Sequence, residues 1–157
     1  MEKEFREIVR SYLEMLNEDL EEVLKKLINY QFPEEVKSLD FEIFSDGFTE
    51  GFPVRAFFMD IDNTEFFVYR DGKAEYPSPV DPGLLNINNV FPSEIEEIYE
   101  EKDEDFNSWG IATEELTEWF AIRWIDAGGG KFNLKASIAH HDSLRKYDLV
   151  QQKWIEE

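Results

Sequence analysis

Residues 52–72, FPVRAFFMDIDNTEFFVYRDG, carry two apolar runs rich in aromatic and β-branched residues, 54–59 and 66–69, on either side of the polar stretch Asp60-Ile61-Asp62-Asn63-Thr64. Runs of this kind bounded by Asp, Asn and Gly spell a β-hairpin. A three-residue loop that pairs Asp60 with Thr64 sets Phe58 opposite Phe66, Phe57 opposite Phe67 and Ala56 opposite Val68, and cross-strand aromatic pairs stabilise a sheet. Both faces are then apolar, so the hairpin is expected inside a sheet covered at least in part on both sides.

The flanking chain supplies the rest of a layered domain. Residues 3–29 place Phe5, Ile8, Val9, Tyr12, Leu13, Leu16, Leu20, Val23, Leu24, Leu27 and Ile28 at helical spacing, which predicts one bent helix or two packed on the sheet. Asp19 with Glu22 has the form of a capping box for a second helix, and Pro33 closes the segment. Residues 39–44 alternate as a strand. A short strand is expected at 73–76 after Asp71-Gly72, then a loop through Pro77, Pro79 and Pro82. Ser93 with Glu96 reads as a capping box for a helix running to about Asp105, its thin apolar side made of Ile95, Ile98 and Tyr99. Thr113 reads as the cap of a further helix, with Glu114 and Glu115 in its first turn and Gly128 as its stop. Residues 131–139 and 147–155 read as two strands joined by His140-His141-Asp142-Ser143.

Helices, strands, helices, strands in segregated runs indicate one α+β domain over residues 1–157. Its sheet is expected to be mainly antiparallel, of five to six strands, with an N-terminal helix or helix pair and two further helices inserted before the last two strands. No apolar run reaches the roughly 20 residues of a membrane span, and the first residues, MEKEFREI, pattern as helix and not as a secretory leader. There is no cysteine, which removes disulfides and thiolate chemistry and fits a reducing, cytoplasmic setting.

Charge narrows the function classes. The chain has 36 acidic and 16 basic residues, a formal net of −20. That field repels phosphate backbones and anionic lipid, so neither nucleic acid nor membrane is an expected partner, whereas a basic protein is. By segment the net is −5 over residues 1–40, −6 over 41–92, −10 over 93–130 and +1 over 131–157; half the excess lies in 38 residues. On a helix to Asp105, Glu96-Glu100-Glu104 and Glu97-Glu101-Asp105 form two like-charge ladders, opposing the fold by roughly 1–2 kcal/mol. Local conflict of this kind is tolerated mainly at functional sites. The expected partner-binding residues are therefore Glu94, Glu97, Glu101, Asp103, Glu104, Asp105, Glu114, Glu115 and Glu118, with Trp109, and Trp119 near it, as aromatic anchors. A solvated acidic helix with both tryptophans in the core is the competing reading.

Residues 57–64, FFMDIDNT, resemble the first motif of haloacid-dehalogenase-type phosphatases. That resemblance implies Asp60 as nucleophile, Asp62 as general acid/base and magnesium as cofactor. The match covers eight residues: the family also needs a Ser or Thr ending a second strand, a lysine and a later acidic cluster on a doubly wound parallel sheet, and the chain has no Asp-Asp or Gly-Asp pair downstream and no alternation of strands and helices to build that sheet. As a hairpin turn, the same residues are there because Asp and Asn tolerate tight backbone geometry. A calcium loop would need Gly and Glu where Glu65 and Asp71 stand. Gly128-Gly129-Gly130-Lys131 lacks the preceding strand and following helix of a phosphate loop and reads as a helix end. His140-His141-Asp142 is the one histidine site, short of a third marked ligand for zinc. The expectation is thus a non-enzymatic, cofactor-free binding module for a basic protein, of immunity or antitoxin type. A small metal-dependent hydrolase using Asp60 and Asp62 or His140, His141 and Asp142 is the alternative, and a homodimer formed through the N-terminal helices a third.

Overall fold

The computed structural model describes residues 1–74, 84–141 and 143–156. In chain order these form α1 (Glu2–Glu14), α2 (Asn17–Ile28), β1 (Ser38–Ile43), β2 (Phe52–Met59), β3 (Tyr69–Arg70), β4 (Lys73–Ala74), β5 (Leu85–Ile87), α3 (Ser93–Lys102), α4 (Ser108–Asp126), a 3₁₀ turn at Gly129–Lys131, β6 (Lys135–His140), β7 (Arg145–Asp148) and β8 (Lys153–Glu156). Six strands make one mixed sheet in the order β5-β2-β1-β6-β7-β8, and β3 with β4 makes a separate small hairpin. Only β1 and β6 run parallel; the other neighbours in the large sheet are antiparallel. The fold is α+β, with α3 and α4 inserted before the last strands. No helix among the described residues is long and apolar enough to cross a membrane.

The central helix is α4. It is apolar nearly all round, as a helix in contact with several elements must be: Ala112, Leu116, Phe120, Ala121 and Trp124 are buried. Phe120 and Trp124 pack on Phe41 of β1, ring centroids 4.9 and 5.7 Å apart. Helices α1 and α2 lie against α4, and α2 also touches β5; the N-terminal stripe thus packs chiefly on a helix, not on the sheet as its spacing suggested. Met15 and Leu16 separate α1 from α2, which makes two helices of residues 2–28. Gly128 adopts φ 107° just beyond α4, the left-handed stop that glycine allows. A Cβ on Gly129 would run into the Trp124 indole, so the turn after α4 requires a residue without a side chain there.

Several expectations change. The turn at Asp60 forms as predicted: Asp60 N–H donates to Thr64 O at 2.8 Å, and Phe66 N–H to Phe58 O at 2.8 Å. Beyond a single bridge between Met59 and Glu65, however, the return strand leaves the sheet. Phe67 and Val68 do not pair with Phe57 and Ala56. The far end of that edge of β2 is taken by β5, which sets Ile87 opposite Phe52 and Leu85 opposite Val54. Burial along β2 alternates strictly, so the sheet is well covered on one face and half-exposed on the other, not enclosed on both. Of the expected strand at 73–76, Lys73 and Ala74 pair with Arg70 and Tyr69; Glu75, Tyr76 and the three prolines lie outside the described residues. Neither capping box forms: α2 and α3 begin without a side-chain cap bond. Helix α4 starts at Ser108, capped by Asn107, whose side chain accepts from Gly110 N–H at 3.0 Å, and Thr113 sits inside it, donating to Trp109 O at 2.8 Å. The last expected strand is two, because Gln152 takes a positive φ of 56° and folds β7 back onto β8.

Candidate protein-binding face

Helix α3 is fixed to the domain chiefly by Tyr99, with Ile95 half-buried against the core beside it. Tyr99 is the buried member of its ten, and Ile98, expected inside, is 47% exposed. Tyr99 stacks on Phe106 at 5.3 Å and meets Phe5 of α1 edge-on at 5.1 Å, while Phe5 also contacts Phe91 and Phe106 at 5.6 and 5.3 Å. Four rings therefore join α1, the entry to α3 and its exit. Burial, with Glu4 nearby, pushes the Tyr99 phenol up to about 12, so it stays neutral. Lys102, the one base of the helix, lies over the Tyr99 ring at 5.5 Å.

Most of the other side chains of α3 look outward. Glu94, Glu97, Glu100 and Glu101 are exposed, and so are Asp103, Glu104 and Asp105 in the turn that follows. The helix ends at Lys102, earlier than expected, so Glu104 and Asp105 are not on the ladders. Two helical like-charge pairs remain, Glu96–Glu100 and Glu97–Glu101, worth about 0.4–1 kcal/mol of repulsion together. The turn settles its own backbone: Asp103 N–H donates to Tyr99 O and Phe106 N–H to Asp103 O, and the Asp103 carboxylate accepts from Asp105 N–H at 3.0 Å. Among the described residues, none of Glu94, Glu97, Glu101, Asp103, Glu104 and Asp105 takes part in a salt bridge. Glu96 faces inward beside Ser108, and burial, then the neighbouring Glu100, raises its carboxyl above the usual range. A cleft of about 560 Å³ borders the turn, between Asp103, Asp105 and Phe106 on one side and Arg6, Ile111 and Glu114 on the other.

The remaining members of the expected set lie elsewhere. Glu115 is 2% exposed and accepts from Arg10 through both oxygens, at 2.7 and 2.9 Å, and from Arg6 at 3.0 Å. It is an interior bridge between α1 and α4 and presents no oxygen to a partner. Glu114 is half-exposed and lies 3.6 Å from Arg6. Glu118 is half-buried on the same side, its carboxyl raised by burial and then by Glu115 and Glu114. Trp109, 42% exposed, leans edge-on against His140 at 4.9 Å. Trp119 is a core residue whose indole N–H donates to Asn17 Oδ1 at 2.6 Å. Sequence reasoning missed Arg6 and Arg10; their four-residue spacing on α1 was the available signal, matched by the Ile111, Glu115, Trp119 stripe on α4.

Among the residues of the hydrolase alternative, Asp60, His140 and His141 make local contacts. The Asp60 carboxylate accepts from Asp62 N–H and Thr64 N–H, both at 2.9 Å, which makes it the brace of its own turn. His140 is buried, its Nε2 2.6 Å from Ser45 O, and His141 stacks on Phe44 with Nδ1 3.2 Å from Ile43 O. Asp142 lies outside the described residues, and among those described no three His, Asp or Glu side chains are grouped to hold a metal ion.

Comparison with protein-family models, curated proteins and solved structures finds no match for this chain, and the reading of its surface rests on its own geometry.

Proposed function

We propose that this chain is a non-enzymatic binding module whose acidic face, α3 and the turn after it, docks on a basic protein. The observation that carries this reading is the row of seven exposed carboxylates from Glu94 to Asp105, none of them in a salt bridge among the described residues, beside helices whose arginines bond inward. Arg6 and Arg10 are engaged by Glu115, and Arg123 by Glu21 and Asp126. The arginines of α1 and α4 are thus committed to Glu115, Glu21 and Asp126, and a partner's lysines and arginines supply the missing charge. The neighbouring cleft suits one long basic side chain, its stem along Phe106 and Ile111 and its charge among Asp103, Asp105 and Glu114. By analogy of charge and size, the role that fits is that of a cytoplasmic immunity or antitoxin protein covering the substrate site of a cationic nuclease.

The test is capture of the partner from source-cell lysate at low salt, followed by measured association. Exposed charges are screened by salt, so the association rate should fall steeply with ionic strength. The variant E97K/E101K/D105K should lower it about tenfold or more. Association unchanged in that variant removes the reading.

A further inference from the structure

A pocket lies where the first two helices part. Glu115, Glu118, Trp119 and Ile122 follow one another at three- and four-residue steps and share one stripe of α4. That stripe crosses the joint of α1 and α2, meeting Arg10 and Glu14 of α1 and Asn17 at the start of α2 around a pocket of about 240 Å³. Trp119 is buried and forms its floor, held by the bond from its indole N–H to Asn17 Oδ1 at 2.6 Å. Ile122, 53% exposed, leaves an aliphatic side chain at the rim.

The charges around this pocket divide into matched and unmatched. Arg10 donates through Nε and one Nη to Glu115, at 2.7 and 2.9 Å. Arg123 holds Glu21 at 2.7 Å and Asp126 at 3.2 Å, and its Nε is sealed from solvent. Glu14 and Glu118, by contrast, take part in no hydrogen bond or salt bridge among the described residues. Glu118 is half-buried. Burial first, then Glu115 and Glu114, raise its carboxyl, and Arg6 and Arg10 weigh less against it. The field at Glu118 thus stays negative although two guanidiniums line the pocket. A half-buried carboxylate without a donor is best completed by a hydrogen-bonding cation. An inorganic ion would leave Trp119 and Ile122 uncovered, whereas a cation on an alkyl stem meets both.

We infer that this pocket binds a primary alkylammonium group, its nitrogen at Glu118 and Glu14 and its stem over Trp119 toward Ile122. Glu118 and Ile122 stand one turn, about 5.4 Å, apart along α4, which suits a stem of three or four carbons. The same group is carried by a free amine and by a lysine side chain. The site shares no residue with α3 or the turn after it.

NMR titration of the whole chain with n-butylamine tests this, with methylamine, n-butanol and butyrate as controls. Butylamine should shift the amides of Glu118 and Ile122 and the indole N–H of Trp119. It should bind at least about tenfold more tightly than methylamine, which lacks the stem, and than butanol or butyrate, which lack the positive charge. Nα-acetyl-lysine methylamide separates the two sources: binding tighter than that of butylamine identifies a lysine side chain, and weaker binding a free amine. Glu118→Gln should weaken butylamine about tenfold with the amide spectrum of the free chain otherwise preserved. E97K/E101K/D105K should bind butylamine within about twofold of the unaltered chain, its charges being distant and screened, so this inference and the acidic-face reading fail separately. No shift with butylamine, methylamine or butanol binding as tightly, or undiminished binding by Glu118→Gln overturns the inference.

Discussion

Glu115 and the row from Glu94 to Asp105 are the same chemistry in opposite surroundings. Glu115 sits inside the helix layer with two guanidiniums directed at its oxygens, and it ties α4 to α1 across more than a hundred residues of chain. The row on α3 and its turn stands in water, on an element held chiefly by the buried ring of Tyr99. A carboxylate in the first setting is structural and would be costly to remove. In the second it contributes little to the fold, beyond the bond from Asp105 N–H to the Asp103 carboxylate, and is available to a visitor. Net charge alone does not distinguish the two; what does is whether arginines from another helix reach the group.

The sharpest way to break this comparison is Glu115→Ala. It removes the buried acceptor that Arg6 and Arg10 share, leaving Arg6 with Glu2 and Glu114 at 3.8 and 3.6 Å. Removing one partner of a buried pair costs about 3–5 kcal/mol, and the lower end, about 3 kcal/mol, is expected because Arg10 is 54% exposed and turns to water. Urea unfolding checks it. By contrast, E97K/E101K/D105K should shift stability by no more than about 0.5 kcal/mol, as exposed substitutions do. A loss comparable to that of Glu115→Ala would show the two regions to be alike.

The smallest expected effect is a dependence on pH. Glu42, Glu65, Glu96 and Glu118 all have carboxyls raised above 4.5, burial being the first cause in each. Between the ordinary value and the raised one, the folded chain holds more protons than the unfolded chain. Stability therefore falls as pH rises through that window and levels off above it. Unfolding midpoints should accordingly be higher near the ordinary carboxyl value than at neutral pH. Glu96→Gln should flatten part of that slope and raise stability at pH 7, since it also removes the repulsion from Glu100.

Much of this fold was legible from local pattern. Apolar spacing marked α1, α2 and the body of α4, and alternation marked β1. Asp60 and Thr64 identified their turn, and Gly128 the end of α4. What escaped depended on distant partners. Phe67 and Val68 look like strand residues, yet β5 holds the edge of β2 they would have needed, and β5 follows a stretch whose prolines suggested only a loop. The start of α4 was misplaced because Trp109-Gly110 resembles a connection until Asn107 is seen to cap it. Among the expected site residues, exposure of the α3 carboxylates followed from Tyr99 being the apolar residue that the helix turns inward. The burial of Glu115 did not, since its partners are on the first helix. The pocket over Trp119 could not be read at all, because it exists only once α4 lies across the joint of α1 and α2.

The fastening of α3 chiefly through Tyr99 has an evolutionary corollary. With Tyr99 and Ile95 kept, and Phe5 and Phe106 kept to receive the tyrosine, the outer positions of α3 can be rewritten one after another with little consequence for folding. A lineage that had to follow a changing partner could do so on that helix alone, leaving α4 and the sheet unaltered.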